Sequence, residues 1–282
     1  MPRRSQAGAC RARGVAVAIA VIVLSAVVVL FHTAPFPSVF DWAAGGRSAW
    51  RMPPSDGAPI IYLTFDDGPN ATATPALLDV LAARRARATF FLIDRHVTHE
   101  TASLVRRMFD EGHGVALHSD DRWLMAHSPE EIGSRLDAWA ARIEALAGHR
   151  PCHAFRPHAG WRSPEMFEAL ERRGYTLVGW GWMAWDWNWF RRRTASAIVD
   201  RITARASDGL IVVIHDGHHR EAGADRAYAV EATAALVPAL RARGFEFGSV
   251  CDALGGEGEV ARGSSGPASA TLTAPVGHPS AP

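Results

Sequence analysis

Six side chains capable of acid–base or ligating chemistry fall where apolar runs of the sequence end. Asp66 and Asp67 close the run Ile60–Phe65, His118 follows Gly114–Leu117, and Arg156 follows His153–Phe155. Asp186 comes after Thr176–Trp180, and His215 follows Leu210–Ile214. Carboxylates and imidazoles move protons and hold cations, whereas a guanidinium serves by pairing with a carboxylate. Adjacent carboxylates at the end of an apolar strand are costly unless cations or hydrogen-bond donors neutralise them. Each residue has a plain structural reading when taken singly. Asp66-Asp67-Gly68-Pro69 can be only a turn, His118 a satisfied surface histidine, Arg156-Pro157 an ion pair at a loop start, and His215 a hydrogen-bonded core histidine. Their shared position is harder to assign to packing, because in parallel α/β folds the C-terminal rim is where side chains from separate strands converge.

The elements that must carry these residues can be read from the hydrophobic pattern. Apolar runs at Ile60–Phe65, Ala88–Ile93, Gly114–Leu117, His153–Phe155, Thr176–Trp180, Leu210–Ile214 and Phe245–Val250 alternate with helical stretches. The helical stretches are Pro75–Arg87, Thr101–Glu111, Pro129–Ala147, Pro164–Arg173, Ala195–Ala206 and Arg226–Arg243. Ser128, Pro129 and Glu131 predict a capping box at the start of the third helix. Strands apolar on both faces and alternating with helices predict a parallel sheet covered by helices. Roughly seven strands over this length suggest an α/β barrel slightly smaller than the eight-stranded one, with an open doubly wound sheet as the alternative.

Composition limits the chemistry and sets the compartment. With 30 basic and 29 acidic residues the formal charge is +1, which gives no electrostatic footprint for nucleic acid. Every basic residue is arginine, so Schiff-base chemistry and a lysine-completed phosphate loop are excluded. Arg3, Arg4, Arg11 and Arg13 precede an uncharged run over residues 14–31. About 18 apolar residues reach the lower end of a membrane-spanning helix, and arginines on the N-terminal side keep that side cytoplasmic. The expectation is a cytoplasmic N-terminus over residues 1–13, a signal-anchor over 14–31, a linker over 32–58, one extracytoplasmic domain over 59–254 and a disordered tail over 255–282. A cleaved signal peptide is the alternative, disfavoured by His32 where a small residue is wanted before Ala34. Cys152 and Cys251 then lie where a disulfide is permitted, and pairing and two free thiols both stay open.

In chain order these motifs resemble the NodB-like polysaccharide deacetylases, carbohydrate esterase family four. Thr64-Phe65-Asp66-Asp67-Gly68-Pro69 reads as the family's first motif without change. Arg156-Pro157-His158-Ala159-Gly160 is similar to the third, Asp186-Trp187 to the fourth, and Val213-Ile214-His215 to the fifth. The resemblance spans about Pro59–Leu254 and implies a distorted parallel (β/α) barrel. It implies Asp66 as general base, positioned by Arg156, and His215 as general acid, tuned by Asp186. It also implies Asp67 and His118 as ligands of a divalent metal, with zinc ahead of cobalt, nickel or manganese. The backbone N–H of Ala159 would meet the oxyanion, Trp187 would wall the site, and Val213 would shape the acetyl pocket.

One motif departs from the family. After His118-Ser119, arginine at position 122 stands where the third ligand is usual, and arginine cannot coordinate a cation. Unit charges about 4 Å apart repel by about 4 kcal/mol at intermediate dielectric, and a divalent ion doubles that. Arg122 must therefore point away, or no metal binds. Asp121 is the expected substitute, since residues three apart share a helical face nearly as well as residues four apart. His158 and Ala159 also replace the usual Pro and Tyr of the third motif. Beyond the motifs, Trp185 and Trp189 offer a stacking platform for sugar rings. The activity implied is metal-dependent N-deacetylation of a peptidoglycan or chitin-like polysaccharide. The rivals are a catalytically silent carbohydrate-binding domain and an O-acetyl esterase.

Overall fold

Residues 13–27, 41, 42, 44–184, 186 and 194–255 are described in a computed structural model of the 282-residue chain. Period-two alternation decides which side chains meet inside its sheet. Strand β1 (Ile60–Gly68) turns Ile61, Leu63 and Phe65 into the main core beneath the helices, and Tyr62 into a second cluster on the opposite face. The same division recurs in β2 (Thr89–Ile93), where Phe90 and Leu92 face the helices and Phe91 the interior. In β3 (Gly114–His118) Ala116 shares the interior face, and in β4 (Ala154–Arg156) Ala154 does. Inward positions further along these strands are Asp66, His118 and Arg156.

The chain runs strand to helix throughout. Helix α1 (Thr74–Ala83) follows β1, α2 (Ala102–Asp110) follows β2, α3 (Pro129–Ala147) follows β3, and α4 (Pro164–Arg172) follows β4. Two short strands, β5 (Thr176–Leu177) and β6 (Trp182–Met183), precede α5 (Ala195–Thr203). Strand β7 (Leu210–His215), α6 (Ala227–Arg241) and β8 (Glu246–Phe247) complete the domain. All pairings among these strands are parallel, in the order β5-β4-β3-β2-β1-β7-β6, with β8 beside β1. Helix α3 starts as expected, with the Ser128 and Glu131 side chains exchanging bonds with each other's backbone N–H.

The two ends of this sheet, β5 and β6, are neighbours in the chain, so the sheet must curl back on itself as a distorted barrel. Residues 49–52 lie along the seam: Ala49 N–H donates to the Leu177 carbonyl (2.8 Å), Gly179 N–H to Ala49 (2.9 Å) and Met52 N–H to Gly209 (2.9 Å). Part of the stretch expected as a linker is therefore built into the sheet. Strand β6 was not among the expected apolar runs, because it is only two residues long and lies inside a tryptophan-rich stretch.

Residues 13–27 are helical and exposed throughout, but this described length spans only about 22 Å at 1.5 Å per residue. Among the described residues no helix is long and apolar enough to cross a membrane. The remainder of the expected span, the N-terminal residues 1–12 and the tail after residue 255 lie outside the described residues. Cys152 and Cys251 are joined, with Cα atoms 5.8 Å apart and 99 residues between them in sequence. The bond ties the entry to β4 to the segment after β8. Closing so long a loop in the unfolded chain contributes about 2–4 kcal/mol. The Cys152→Ser/Cys251→Ser double variant should lose that much in guanidinium unfolding, and a loss under about 0.5 kcal/mol would show that the crosslink constrains nothing.

Candidate active site

A bulge at the end of β1 is what lets two adjacent carboxylates serve one site. Successive strand residues normally face opposite ways, but the register against β2 shifts between Asp66 and Gly68 and Asp67 takes a left-handed φ of 71°. The bulge is held by His96, whose Nδ1 lies 3.0 Å from the Asp67 carbonyl, and by Gly217 N–H donating to the Asp66 carbonyl at 3.2 Å. Gly217 has no room for a side chain, since a Cβ there would lie 2.1 Å from the Asp67 carbonyl oxygen.

Asp66 points inward onto Arg156, which is fully buried. The Arg156 guanidinium donates to Asp66 Oδ1 (2.5 Å) and Thr64 Oγ1 (2.8 Å), and to the carbonyls of Val178 (3.2 Å) and Gly179 (2.9 Å). Its face covers the Phe91 ring at 3.9 Å. Asp66 is also registered opposite His215 on β7.

Asp67 and His118 form the second couple. His118 Nδ1 lies 2.8 Å from the Arg156 carbonyl, which can only accept, so Nδ1 carries the proton and Nε2 is left for another partner. Nε2 lies 3.3 Å from Asp67 Oδ1, yet Oδ1 is buried without a hydrogen-bond partner. In the neutral tautomer two lone pairs face each other across that gap, and only a positive charge between them makes the arrangement favourable. Burial works against the Asp67 charge, but when His118 is protonated its charge and Nε2–H, then the charge of His215, hold the Asp67 carboxyl well below the usual range. His118 is likewise opposed by burial and raised overall by Asp66 and Asp67. This donor set suits a divalent cation: an ionised carboxylate and an imidazole whose other nitrogen is fixed by a carbonyl.

The third couple is His215 and Asp186. Asp186 accepts from the His215 backbone N–H (2.7 Å) and from its Nδ1 (2.9 Å). Burial pulls the imidazole down, but the Asp186 charge and hydrogen bond, with Asp67 and Asp66 behind them, push it up to about 9. His215 is therefore cationic at neutral pH.

Other expected residues are less convergent. Asp121 turns away: its Oδ2 pairs with Arg135 (3.0 Å) and lies 3.8 Å from His127 Nε2, while Oδ1 caps the Trp123 N–H. Among the described residues, no group of three His, Cys, Asp or Glu side chains is placed to hold a metal ion. The expected three-ligand set with Asp121 is thus not assembled, because an arginine on α3 claims the carboxylate. Arg122 is exposed. Ala159 sits exposed at the tip of the turn His158–Gly160, with a left-handed φ of 50°. Val213 is buried against Trp180. Trp187, Trp185 and Trp189 lie outside the described residues.

Three supporting residues escaped the sequence reading. Thr64 Oγ1 donates to the Val212 carbonyl (2.8 Å) while receiving Arg156. Its signal was available, as a hydroxyl two residues before Asp66 and so on the same strand face. His96 gave no such signal, because it lies in a single 3-10 turn after β2, too short to show a pattern. Asp216 is fully buried, accepts from Thr74 Oγ1 (2.6 Å), and is pushed up to about 7 by burial. Its place beside His215 was visible, but nothing in the pattern marked it as buried.

Comparison with known proteins bears on this constellation. The sequence model described as polysaccharide deacetylase matches residues 54–178. A peptidoglycan-N-acetylglucosamine deacetylase of Bacillus cereus is 32% identical over 209 residues, 74% of this chain and 93% of that protein. A chitooligosaccharide deacetylase of Sinorhizobium fredii is 36% identical over 201 residues, 67% of this chain and 89% of that protein. Among solved structures, a family 4 acetyl xylan esterase from Clostridium thermocellum, in complex with a cobalt ion, superposes with a TM-score of 0.62 at 29% identity. That match covers 71% of this chain and 92% of the esterase. With relatives this similar over nearly their whole length, the chain belongs to the polysaccharide deacetylase family.

Proposed function

We propose that this chain hydrolyses the N-acetyl groups of a peptidoglycan or chitin-like polysaccharide, with Asp67 and His118 holding a divalent cation. The observation that carries the reading is the arrangement of three couples at one rim: a carboxylate neutralised by arginine, a carboxylate facing an imidazole lone pair, and an imidazolium backed by a carboxylate. The named activities of the relatives support the amide-hydrolysing class, and the cobalt-bound esterase supports a transition-metal cation, with zinc proposed first.

When bound, the cation would polarise the acetyl carbonyl and acidify water. The chain's own residues do the rest. Asp66, fixed by Arg156, accepts the proton of the attacking water. The Ala159 N–H donates to the oxyanion as the carbonyl carbon becomes tetrahedral. His215 then gives its proton to the departing amine, and Val213 bounds the acetyl methyl. Amine departure needs a proton more than alcohol departure does, so an imidazole backed at 2.9 Å by the Asp186 carboxylate suits N-deacetylation.

Location belongs to the same proposal. The apolar helix over 13–27, exposed all round behind basic residues, supports an anchored chain with an extracytoplasmic catalytic domain. The Cys152–Cys251 bond supports an oxidising compartment. Trp187 is proposed to wall the sugar site.

Acetate release from N-acetylglucosamine oligomers tests the reaction. Asp66→Asn and His215→Ala should each lose about 10²–10⁴-fold in kcat. Either variant working near the wild-type rate would remove its role. Metal content of the purified chain tests the ligands: Asp67→Ala and His118→Ala should lose the ion, while Asp121→Ala and Arg122→Ala keep it. Loss in Asp121→Ala would instead mean that Asp121 leaves Arg135 to coordinate.

A further expectation concerns pH. His215 titrates near 9 in the folded chain against about 6.5 unfolded, so its contribution to stability is complete below about 6.5 and lost as pH rises through about 9. Acid catalysis should decline as pH rises through the His215 titration of the metal-loaded chain, which a cation on Asp67 lowers. In Asp186→Asn the main raising charge is gone, and the NMR titration of the His215 ring should move down by more than one unit. An unmoved titration would mean that Asp186 is not what holds the proton.

A further inference from the structure

The segment 41–52 lies ahead of the residues matched by the family model, yet it reaches the strand tips that carry the site. Asp41 Oδ2 accepts from the Ser48 N–H (2.9 Å) and Trp50 Nε1 (2.7 Å). Its Oδ1 accepts from Ser48 Oγ (2.7 Å) and from Arg162 Nη1 (2.9 Å). Arg162 is buried, with a side chain 1% exposed; Nη1 also reaches Ser48 Oγ (2.5 Å), and the guanidinium covers the Trp50 ring at 4.6 Å. Its Nε donates to the Gly160 carbonyl at 2.8 Å.

That carbonyl belongs to the turn holding Ala159. Ala159 and Gly160 are successive left-handed residues, with φ of 50° and 76°. A non-glycine residue in that region costs of order 1 kcal/mol or more, so surrounding contacts must impose the conformation. Arg162 is such a contact, and a buried guanidinium needs its carboxylate. The same segment braces the site from its other side. Ala49 is bridged to Val178, and the carbonyls of Val178 and Gly179 are the ones that receive Arg156.

We infer that Asp41 is a positioning residue of the active site: through Arg162 it fixes the left-handed turn that presents the Ala159 N–H to the reacting carbonyl. This rests on the oxyanion reading of Ala159 proposed above. An oxyanion donor acts on the transition state and hardly on bound substrate, so its displacement lowers kcat and spares KM. Removing such a donor outright costs about 10²–10³-fold; misplacing it should cost about tenfold.

The test compares the full wild-type chain with Asp41→Ala. On N-acetylglucosamine oligomers, kcat should fall about tenfold with KM within about twofold. Affinity for a methylphosphonamidate analogue of the substrate, a stable tetrahedral mimic, should fall by a similar factor. Backbone hydrogen exchange should quicken at residues 158–163 as well as in the segment itself. Faster exchange confined to 41–52, with kcat unchanged, overturns the inference. Faster exchange across the whole domain also overturns it, because Asp41 would then only hold the fold together. Should the wild-type chain release no acetate, the deacetylase reading fails, while the exchange pattern still decides whether Asp41 governs the turn. If Asp41→Ala does not fold, Ser48→Ala removes the hydroxyl shared by Asp41 and Arg162 and is read by the same criteria.

Discussion

A guanidinium with no access to water is the interaction on which this site depends. Arg156 is 0% exposed and sits among aromatic and aliphatic side chains, where an unpaired charge is worth several kcal/mol of penalty. Its donors go to Asp66, Thr64 and two carbonyls that begin the crossing from β5 to β6. Each bond constrains a different piece of chain, so the cation fixes β1, β4 and the barrel seam relative to one another. Removing one partner of such a pair typically costs about 3–5 kcal/mol, because the other is left buried and charged. Asp66 therefore has a structural duty beside the chemical one proposed for it, and its carboxylate is held by the requirement that Arg156 be neutralised.

The backbone allows this concentration of charge because alternation and a bulge act together. Inward positions begin with Tyr62, Phe91, Ala116, Ala154 and Ile211, which form an apolar floor. Two or four residues on, the same faces carry Asp66, His118, Arg156 and His215. A strand thus changes from apolar to polar within one face, which places the charges at the C-terminal rim and leaves the floor dry. Asp67 cannot join them in a regular strand. The bulge, stabilised by His96 and by the close approach of Gly217, adds it.

Much of this was legible in the sequence, and the parts that were not have identifiable causes. Strands β1, β2, β3 and β7 and the helices are long enough for hydrophobic pattern to define them, and the capping box fixed the start of α3. The rim residues were visible because polar types ending apolar runs are exceptional. Strand β6 was hidden because two residues are too few to show a period within a tryptophan-rich stretch. The seam segment 49–52 was hidden because Gly, Ala, Pro and Ser usually mark a linker, and its anchoring by Asp41, Ser48 and Trp50 depends on partners more than 100 residues away. Asp121 shows the same limit from the other side. Its spacing from His118 suits a ligand, but local spacing cannot show that Arg135, one turn and a half into α3, takes the carboxylate first.

The balance of charge favours Asp67 as the place for the cation proposed above. Asp66, Asp67 and Asp186 bring three negative charges to the rim, and Arg156 and His215 bring two positive ones. Arg156 is committed to Asp66 at 2.5 Å and His215 to Asp186 at 2.9 Å, so of these three carboxylates Asp67 is the one left facing only His118. That carboxylate is 5% exposed and one of its oxygens has no hydrogen-bond partner, conditions under which an isolated anion is strongly disfavoured. A neutral His118 offers a lone pair and cannot neutralise it; a protonated His118 can, but then has no lone pair to give. The two alternatives exclude each other, so at the proposed cation site a proton on His118 Nε2 and a metal ion compete for one position.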